Sequence, residues 1–309
     1  MEIEADEGGS AGHLLGQLVG NWYERYVAYP VLSQVADTLG LYCDSRFRPR
    51  TCRGDKLIWE DSDGNGVDYD FVFELGGTDD HLGIPVAFFE TFWRRGSRHS
   101  KDKARDDSGK LLGMRDAFPT ARLLGIVAAG DFTRPAQELI RSRHIDLFYT
   151  SKEKVLSAWQ DNGVVIDYPD KLGEDQKRTI ATAAQAMIAG NSELLQTIAD
   201  SVINKIGAAE IKAFTDRVAG HIGATPQEYR IFVIDQDAKQ FWTRAEVDQF
   251  LLGSEPALDS ANAVRVYAYE VLFGDGDSFS RDDLEWRELR ELHSQLDSLV
   301  EHMERLAGG

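Results

Sequence analysis

The stretch VDYDFVFELGGTDDHLGIPVAFFETFWRRGSRHSKDKAR, Val67 to Arg105, decides how this chain reads. DYDFVFEL sets Asp68, Asp70, Val72 and Glu74 on one side and Tyr69, Phe71 and Phe73 on the other, as a strand's period of two requires. PVAFFETFWR is an almost continuous apolar run, the composition of a strand covered on both faces. A single carboxylate, Glu90, interrupts it. An ionised carboxylate in a buried strand is costly unless a cation or hydrogen bonds offset it. With Asp70 on one strand and Glu90 on the strand expected beside it, two carboxylates are set to converge on one divalent metal. Mg²⁺, or Mn²⁺ in its place, suits them, because Mg²⁺ is held by one or two carboxylates with water and phosphate completing its shell. Asp68 shares a face with Asp70 and is the alternative ligand.

A basic turn follows. Residues 91–105 hold Arg94, Arg95, Arg98, Lys101, Lys103 and Arg105 against Asp102 alone. Ser100 is placed to cap a helix over KDKARDDSGKLLGMRDAF. The N-terminus of that helix would direct backbone N–H groups toward a bound phosphate.

At this point the stretch resembles the PD-(D/E)xK nucleases, the restriction-endonuclease-like fold, over roughly residues 10–160. The family carries an Asp on one strand and Glu-x-Lys on the next; here Phe92 stands where the lysine is expected. A subgroup with Glu, a Trp-Arg-Arg strand end and a His-Ser-x-x-Lys-Ala turn is the nearer likeness. Its residues here are Glu90, Trp93, Arg94, Arg95, His99, Ser100, Lys103 and Ala104.

The resemblance implies a three-layer α/β core with a mixed sheet and a Mg²⁺-dependent DNA endonuclease of a prokaryotic restriction or anti-phage defence system. Asp70 and Glu90 would be both metal ligands and catalytic residues. Lys103, with Lys101 as second choice, would replace the strand lysine from the helix. Glu24 is an additional acidic candidate, since the family often supplies one from its first helix. Arg94, Arg95, Arg98, His99 and Ser100 would position the nucleic-acid backbone. The competing reading is a catalytically inactive DNA- or partner-binding subunit of a defence complex, which Phe92 favours.

Net charge is −18, awkward for a nucleic-acid enzyme because phosphate contacts need Lys and Arg. The charge is uneven. Residues 161–309 carry 14 Lys+Arg and 27 Asp+Glu, leaving 20 against 25 for residues 1–160. A local basic patch on an acidic body is compatible with DNA and argues against strong non-specific binding.

The rest of the chain reads as follows. Residues 1–9 form an acidic tail expected to be disordered. Leu14, Leu15, Leu18, Val19, Trp22 and Tyr26 recur at helical spacing, with Glu24 on the polar face. Pro30 interrupts, and a second helix ends near Gly40. KLIWEDSDGNGVDYDFVFE is a hairpin turning at Asp-Gly-Asn-Gly. Its turn imitates an EF-hand loop, but Val72 stands where position 12 needs Glu and strands flank it, so calcium is rejected.

ARLLGIVAAG and HIDLFYT are strands alternating with short helices, which completes an α/β core. Residues 161–175 break the pattern and are read as the domain boundary. The C-terminal region, 176–309, is expected to be a mainly helical α+β unit. It ends in a long helix over 281–307, where Leu289, Leu292, Leu296, Leu299, Met303 and Leu306 make an a/d seam for a homo-oligomer or partner subunit.

Cys43 and Cys52 lack metal-ligand spacing and read as reduced thiols. No apolar run is long enough for a membrane span, and no basic, hydrophobic signal opens the chain, so a cytoplasmic location is expected.

Overall fold

The computed structural model describes residues 10–97, 100–169, 171–233, 238–253, 255 and 266–308. The expected acidic tail, together with Arg98 and His99, lies outside the described residues.

Leu15, Leu18, Val19, Trp22 and Tyr23 give α1 (Ala11–Tyr23) one buried face, and the Ser10 side chain caps it by accepting from His13 N. Pro30 has no N–H to donate, so the regular ladder cannot continue through it. The helix answers with a π-helical turn over Glu24–Ala28 and runs straight on as α2 (Tyr29–Thr38). The interruption expected at Pro30 is therefore a widened turn with Glu24 at its first position. Such turns occur often at functional sites.

The central sheet is built from β1 (Tyr42–Ser45), β4 (Phe71–Leu75), β5 (Ile84–Arg94), β6 (Leu123–Gly130) and β7 (Asp146–Ser151), in the order β1–β4–β5–β6–β7. β1, β4 and β5 pair antiparallel, while β5, β6 and β7 pair parallel. The apolar run carrying Glu90 is thus an interior strand beside β4, as its composition requires. Its crossover to β6 is α3 (Ser100–Ala117), and α4 (Arg134–Ser142) joins β6 to β7.

One face of the sheet packs against α3 and α4 through Phe88, Phe92, Leu111, Met114, Leu124 and Ile140. The other packs against α1, α2 and α5 (Lys152–Asp161) through Trp22, Phe71, Phe89, Trp93, Phe148 and Trp159. The arrangement is a mixed α/β fold with helices on both faces of a mixed sheet.

One feature of the strand region differs from expectation. DYDFVFEL is not one strand: Tyr69 ends β3 (Gly66–Tyr69), Phe71 begins β4, and Asp70 occupies the break. β3 pairs with β2 (Leu57–Glu60) in the hairpin expected at Asp-Gly-Asn-Gly, and that hairpin stands apart from the central sheet. The Asp61 carboxylate shapes its turn by accepting from Asp63 N and Asn65 N, so that acid is used by the backbone.

The boundary expected at 161–175 is not a break in the core. α6 (Glu174–Ile188), α7 (Ser192–Ile206) and α8 (Ala208–Ile222) share one hydrophobic cluster with α1 and α5. Trp22 Nε1 donates to Leu195 O at 3.0 Å, and Phe148 meets Phe214 at 4.7 Å between ring centroids. Helical periodicity shows that such helices have an apolar face but not which surface covers it.

A second core begins only at β8 (Pro226–Val233). With β9 (Lys239–Phe241), β10 (Tyr267–Phe273) and β11 (Ser278–Leu284) it forms an antiparallel sheet in the order β11–β10–β8–β9. α9 (Arg244–Leu252) and α10 (Trp286–Gly308) cover that sheet. β11 takes up residues expected to open the last helix. Leu289, Leu292, Leu296 and Leu299 of the seam are buried inside this chain, leaving Leu306 exposed at its end. The seam is a core stripe, and it offers no continuous surface to a partner.

Candidate metal centre and nucleic-acid interface

Three carboxylates from separate segments lie around Asp70: Glu90 and Asp107 on the α3 side of the sheet and Glu24 on the α1–α2 side. Glu24 comes from the π-helical turn, Asp70 from the break between β3 and β4, Glu90 from the middle of β5, and Asp107 from α3. Glu24, Glu90 and Asp107 are 7%, 3% and 1% exposed. Asp70 is at the centre of the group, since its charge acts on each of the other three.

Asp70 is held where the strand breaks. Its Oδ2 accepts from Thr91 N at 2.6 Å and from Thr91 Oγ1 at 3.0 Å, locking it to the residue after Glu90. Glu90 lies on the α3 side of β5, between Phe88 and Phe92. Burial, and then repulsion from Asp70, push its carboxyl up to about 8, against the pull of Lys110. Burial and Asp70 likewise push Glu24 up to about 8, although Arg46 bonds its Oε2 at 2.5 Å. Burial also raises Asp107.

Two oxygens in this group, Glu24 Oε1 and Asp107 Oδ2, are buried without a hydrogen-bond partner. An orphaned buried oxygen is costly, and an acid kept despite that cost is a mark of a functional site. Hard carboxylate oxygens with unused lone pairs suit Mg²⁺ or Mn²⁺.

α3 supplies the cations. Lys103, Asp107 and Lys110 stand at i, i+4 and i+7, one face of a helix. Lys110 Nζ lies 3.4 Å from both Glu90 oxygens. Its backbone carbonyl accepts from Tyr69 Oη at 2.8 Å, tying the helix to the strand before Asp70. Partial burial opposes the Lys110 charge, but Glu90, Asp107 and Asp70 outweigh it and raise the ammonium. Lys103 bonds Asp107 Oδ1 at 2.6 Å and lies 5.7 Å from the centroid of the Phe92 ring. Phe92 itself is core, packed against Phe132.

The candidates from the sequence therefore separate. Asp70, Glu90 and Glu24 gather, with Lys103 at the edge of the group. Asp68 does not join them: it accepts from Leu57 N at 3.0 Å and faces Lys56, bracing the β2–β3 hairpin. Lys101 is exposed on the first turn of α3, with no hydrogen bond or ion pair among the described residues.

Ser100 is buried at 1% exposure, and its hydroxyl meets Thr133 Oγ1 at 3.0 Å. Its hydroxyl, expected to meet a nucleic-acid backbone, is thus engaged inside the fold. Arg95 stacks on the Tyr168 ring at 3.6 Å and bonds Tyr168 O and Asp167, so it anchors that segment. Arg94 ends β5, half-buried, and its carbonyl accepts from Asp131 N.

Sequence reasoning missed Lys110, Asp107 and Arg46. The i, i+4, i+7 pattern on α3 was a signal for the first two. Nothing local marks Arg46, which follows β1 and reaches back to Glu24 over a separation of 22 residues.

Elsewhere, His221, Asp275 and Asp277 have ligand atoms within 4.8 Å of one another. Asp275 is already paired with the Arg122 guanidinium at 2.9 Å, so a cation is in place there. The acids around Asp70 are spaced more widely than that trio. No helix of the described residues is long and apolar enough to cross a membrane.

No protein-family model matches the chain, and no curated protein matches it. A solved structure titled "Crystal Structure of Protein of Unknown Function AF1548" is similar at 13% identity and a TM-score of 0.28. The match covers 62% of this chain and 95% of that one. A likeness of that size carries no argument about activity.

Proposed function

We propose that this protein is a divalent-metal-dependent phosphodiesterase that hydrolyses nucleic acid, with DNA as the expected substrate. The observation that carries the reading is the convergence of Glu24, Asp70 and Glu90, three acids from separate elements, two of which are buried at a standing electrostatic cost. The sheet supports it as well: three antiparallel strands, a helical crossover and parallel strands beyond agree with a restriction-endonuclease-like core around Asp70 and Glu90.

Asp70 and Glu90 would hold Mg²⁺ or Mn²⁺, with Glu24 beside Asp70. When bound, the metal activates a water and offsets charge on the phosphate. The chain's own residues divide the remaining work. Thr91 fixes Asp70, and Lys110 neutralises Glu90. Lys103, beside the Phe92 ring, supplies the ammonium that the family carries at that strand position; its charge stabilises the phosphate. Asp107 orients Lys103.

The test is Mg²⁺-dependent cleavage of DNA by the wild type and by Glu90→Ala. Loss of cleavage with an unchanged fold is expected; equal cleavage sinks the assignment. If the protein binds nucleic acid and metal yet cleaves nothing, the inactive binding-subunit reading, which Phe92 favours, takes its place.

A further inference from the structure

A ledge of arginines and aromatic rings adjoins Glu24 at the surface. Arg25, the next residue of the π-helical turn, places its guanidinium 5.6 Å from the centroid of Tyr26 and 5.9 Å from that of Phe47. Arg46 lies 5.2 Å from the Phe47 centroid and bonds Glu24, so the ledge is continuous with the carboxylates. Phe47 and Tyr26 are half-buried, and Phe47 is braced from beneath by Tyr29 and Phe71.

The charge of this ledge is unusual for the molecule. The chain has 52 Asp+Glu and 34 Lys+Arg, so carboxylates are in excess. Among the described residues Arg25 nevertheless has neither an ion pair nor a hydrogen bond and is held by rings alone. An arginine over aromatic faces with its N–H groups unused suits an outside anion. Arginine planes and rings together also offer a stacking surface for bases, each of which has a π-face only when it is unpaired. A duplex stacks its bases internally and presents mainly phosphates, which would engage the arginines and leave the rings without a role.

We infer that the Arg25–Phe47–Arg46 ledge takes an unpaired nucleotide next to the carboxylates, so that the substrate is a single strand or a splayed end. This rests on the reading of the carboxylates as a phosphodiesterase site. The nucleotide's phosphate goes to Arg25 and its base onto the ring and guanidinium faces. The surface does not distinguish DNA from RNA, because both share that chemistry.

The experiment is fluorescence anisotropy with labelled thymidine and uridine oligomers of about a dozen nucleotides and a duplex of equal length, in Ca²⁺. The wild type, Phe47→Leu, Phe47→Tyr and Arg25→Gln are compared, each first checked by thermal melting. The wild type should prefer the single strand. Phe47→Leu should weaken single-strand binding by roughly five- to a hundredfold, and Phe47→Tyr, which keeps the ring, should restore it. Arg25→Gln should lower the salt slope of binding by about one.

A preference for duplex, or single-strand binding indifferent to both Phe47→Leu and Arg25→Gln, overturns the inference. Should Phe47→Leu fail to fold, Arg25→Gln and the strand preference still decide it. Single-strand binding of the expected kind without any metal-dependent cleavage would uphold the ledge and sink only the hydrolytic reading. The thymidine and uridine arms separate DNA from RNA.

Discussion

Replacing Glu90 with glutamine should make the metal-free protein more stable. The Glu90 carboxyl titrates near 4.5 in an unfolded chain and is pushed up to about 8 in the fold, first by burial and then by Asp70. Below both values folded and unfolded chains carry the proton alike, and the substitution is neutral in this respect. As pH rises past 4.5 the unfolded chain releases its proton while the fold keeps it, so wild-type stability falls with pH until about 8.

At about 1.4 kcal/mol per unit, the isolated effect is about 3 kcal/mol at pH 7 and approaches 5 kcal/mol above pH 8. The loss of Lys110's counter-charge partner reduces it. The expected gain for Glu90→Gln is about 1–3 kcal/mol near pH 8, vanishing near pH 4.5. Urea unfolding in a chelator, at both pH values, measures it. Added Mg²⁺ should reverse the order, because only the wild type gains full binding energy from the ion. A variant less stable than wild type at every pH would refute the reasoning, since Glu90 would then be an ordinary ion-pair acid.

Other outcomes follow from the same geometry. Lys103→Ala should cut turnover by roughly 10²-fold or more with little change in metal affinity. Lys110→Ala should instead shift Mg²⁺ affinity and its pH dependence; rates at saturating substrate and metal titrations tell the two apart. Phe214→Ala, on α8 but in the main core, should cost about 3–5 kcal/mol, and a fragment ending at residue 160 should lack a cooperative unfolding transition in calorimetry. Gly130 has φ +106° and its missing Cβ would meet the carbonyl of Arg94, so Gly130→Ala should lower stability by more than about 1 kcal/mol on urea titration.

Much of the sheet was legible because period-two alternation and an unbroken apolar run are direct consequences of strand burial. Glu90 stood out for the same reason, as the one charge in a run that had to be interior. Asp70 reads from the sequence as part of one strand and lies at a break between two. Its position there lets its carboxylate reach Thr91 and face three other acids.

The helix lysines show where pattern runs out. The motif points to Lys103, while Lys110, seven residues on along the same helix face, is the lysine 3.4 Å from both Glu90 oxygens. The C-terminal seam was read correctly as apolar, but its burial against β8 and β10 depends on contacts that spacing does not encode. Arg95 and Ser100 were read as ligands of phosphate because basic and hydroxyl residues cluster there. Tyr168 and Thr133, remote in sequence, take them instead.

The most direct measurement of the central claim is the initial rate of cleavage of a labelled DNA strand as Mg²⁺ is raised, for the wild type and for Asp70→Asn. Asp70 is the acid that all the others face. The account predicts a rate that is absent in chelator, saturates with Mg²⁺ in the wild type, and falls by orders of magnitude in Asp70→Asn with the fold intact. Cleavage that needs no divalent metal, or that survives Asp70→Asn undiminished, would contradict it.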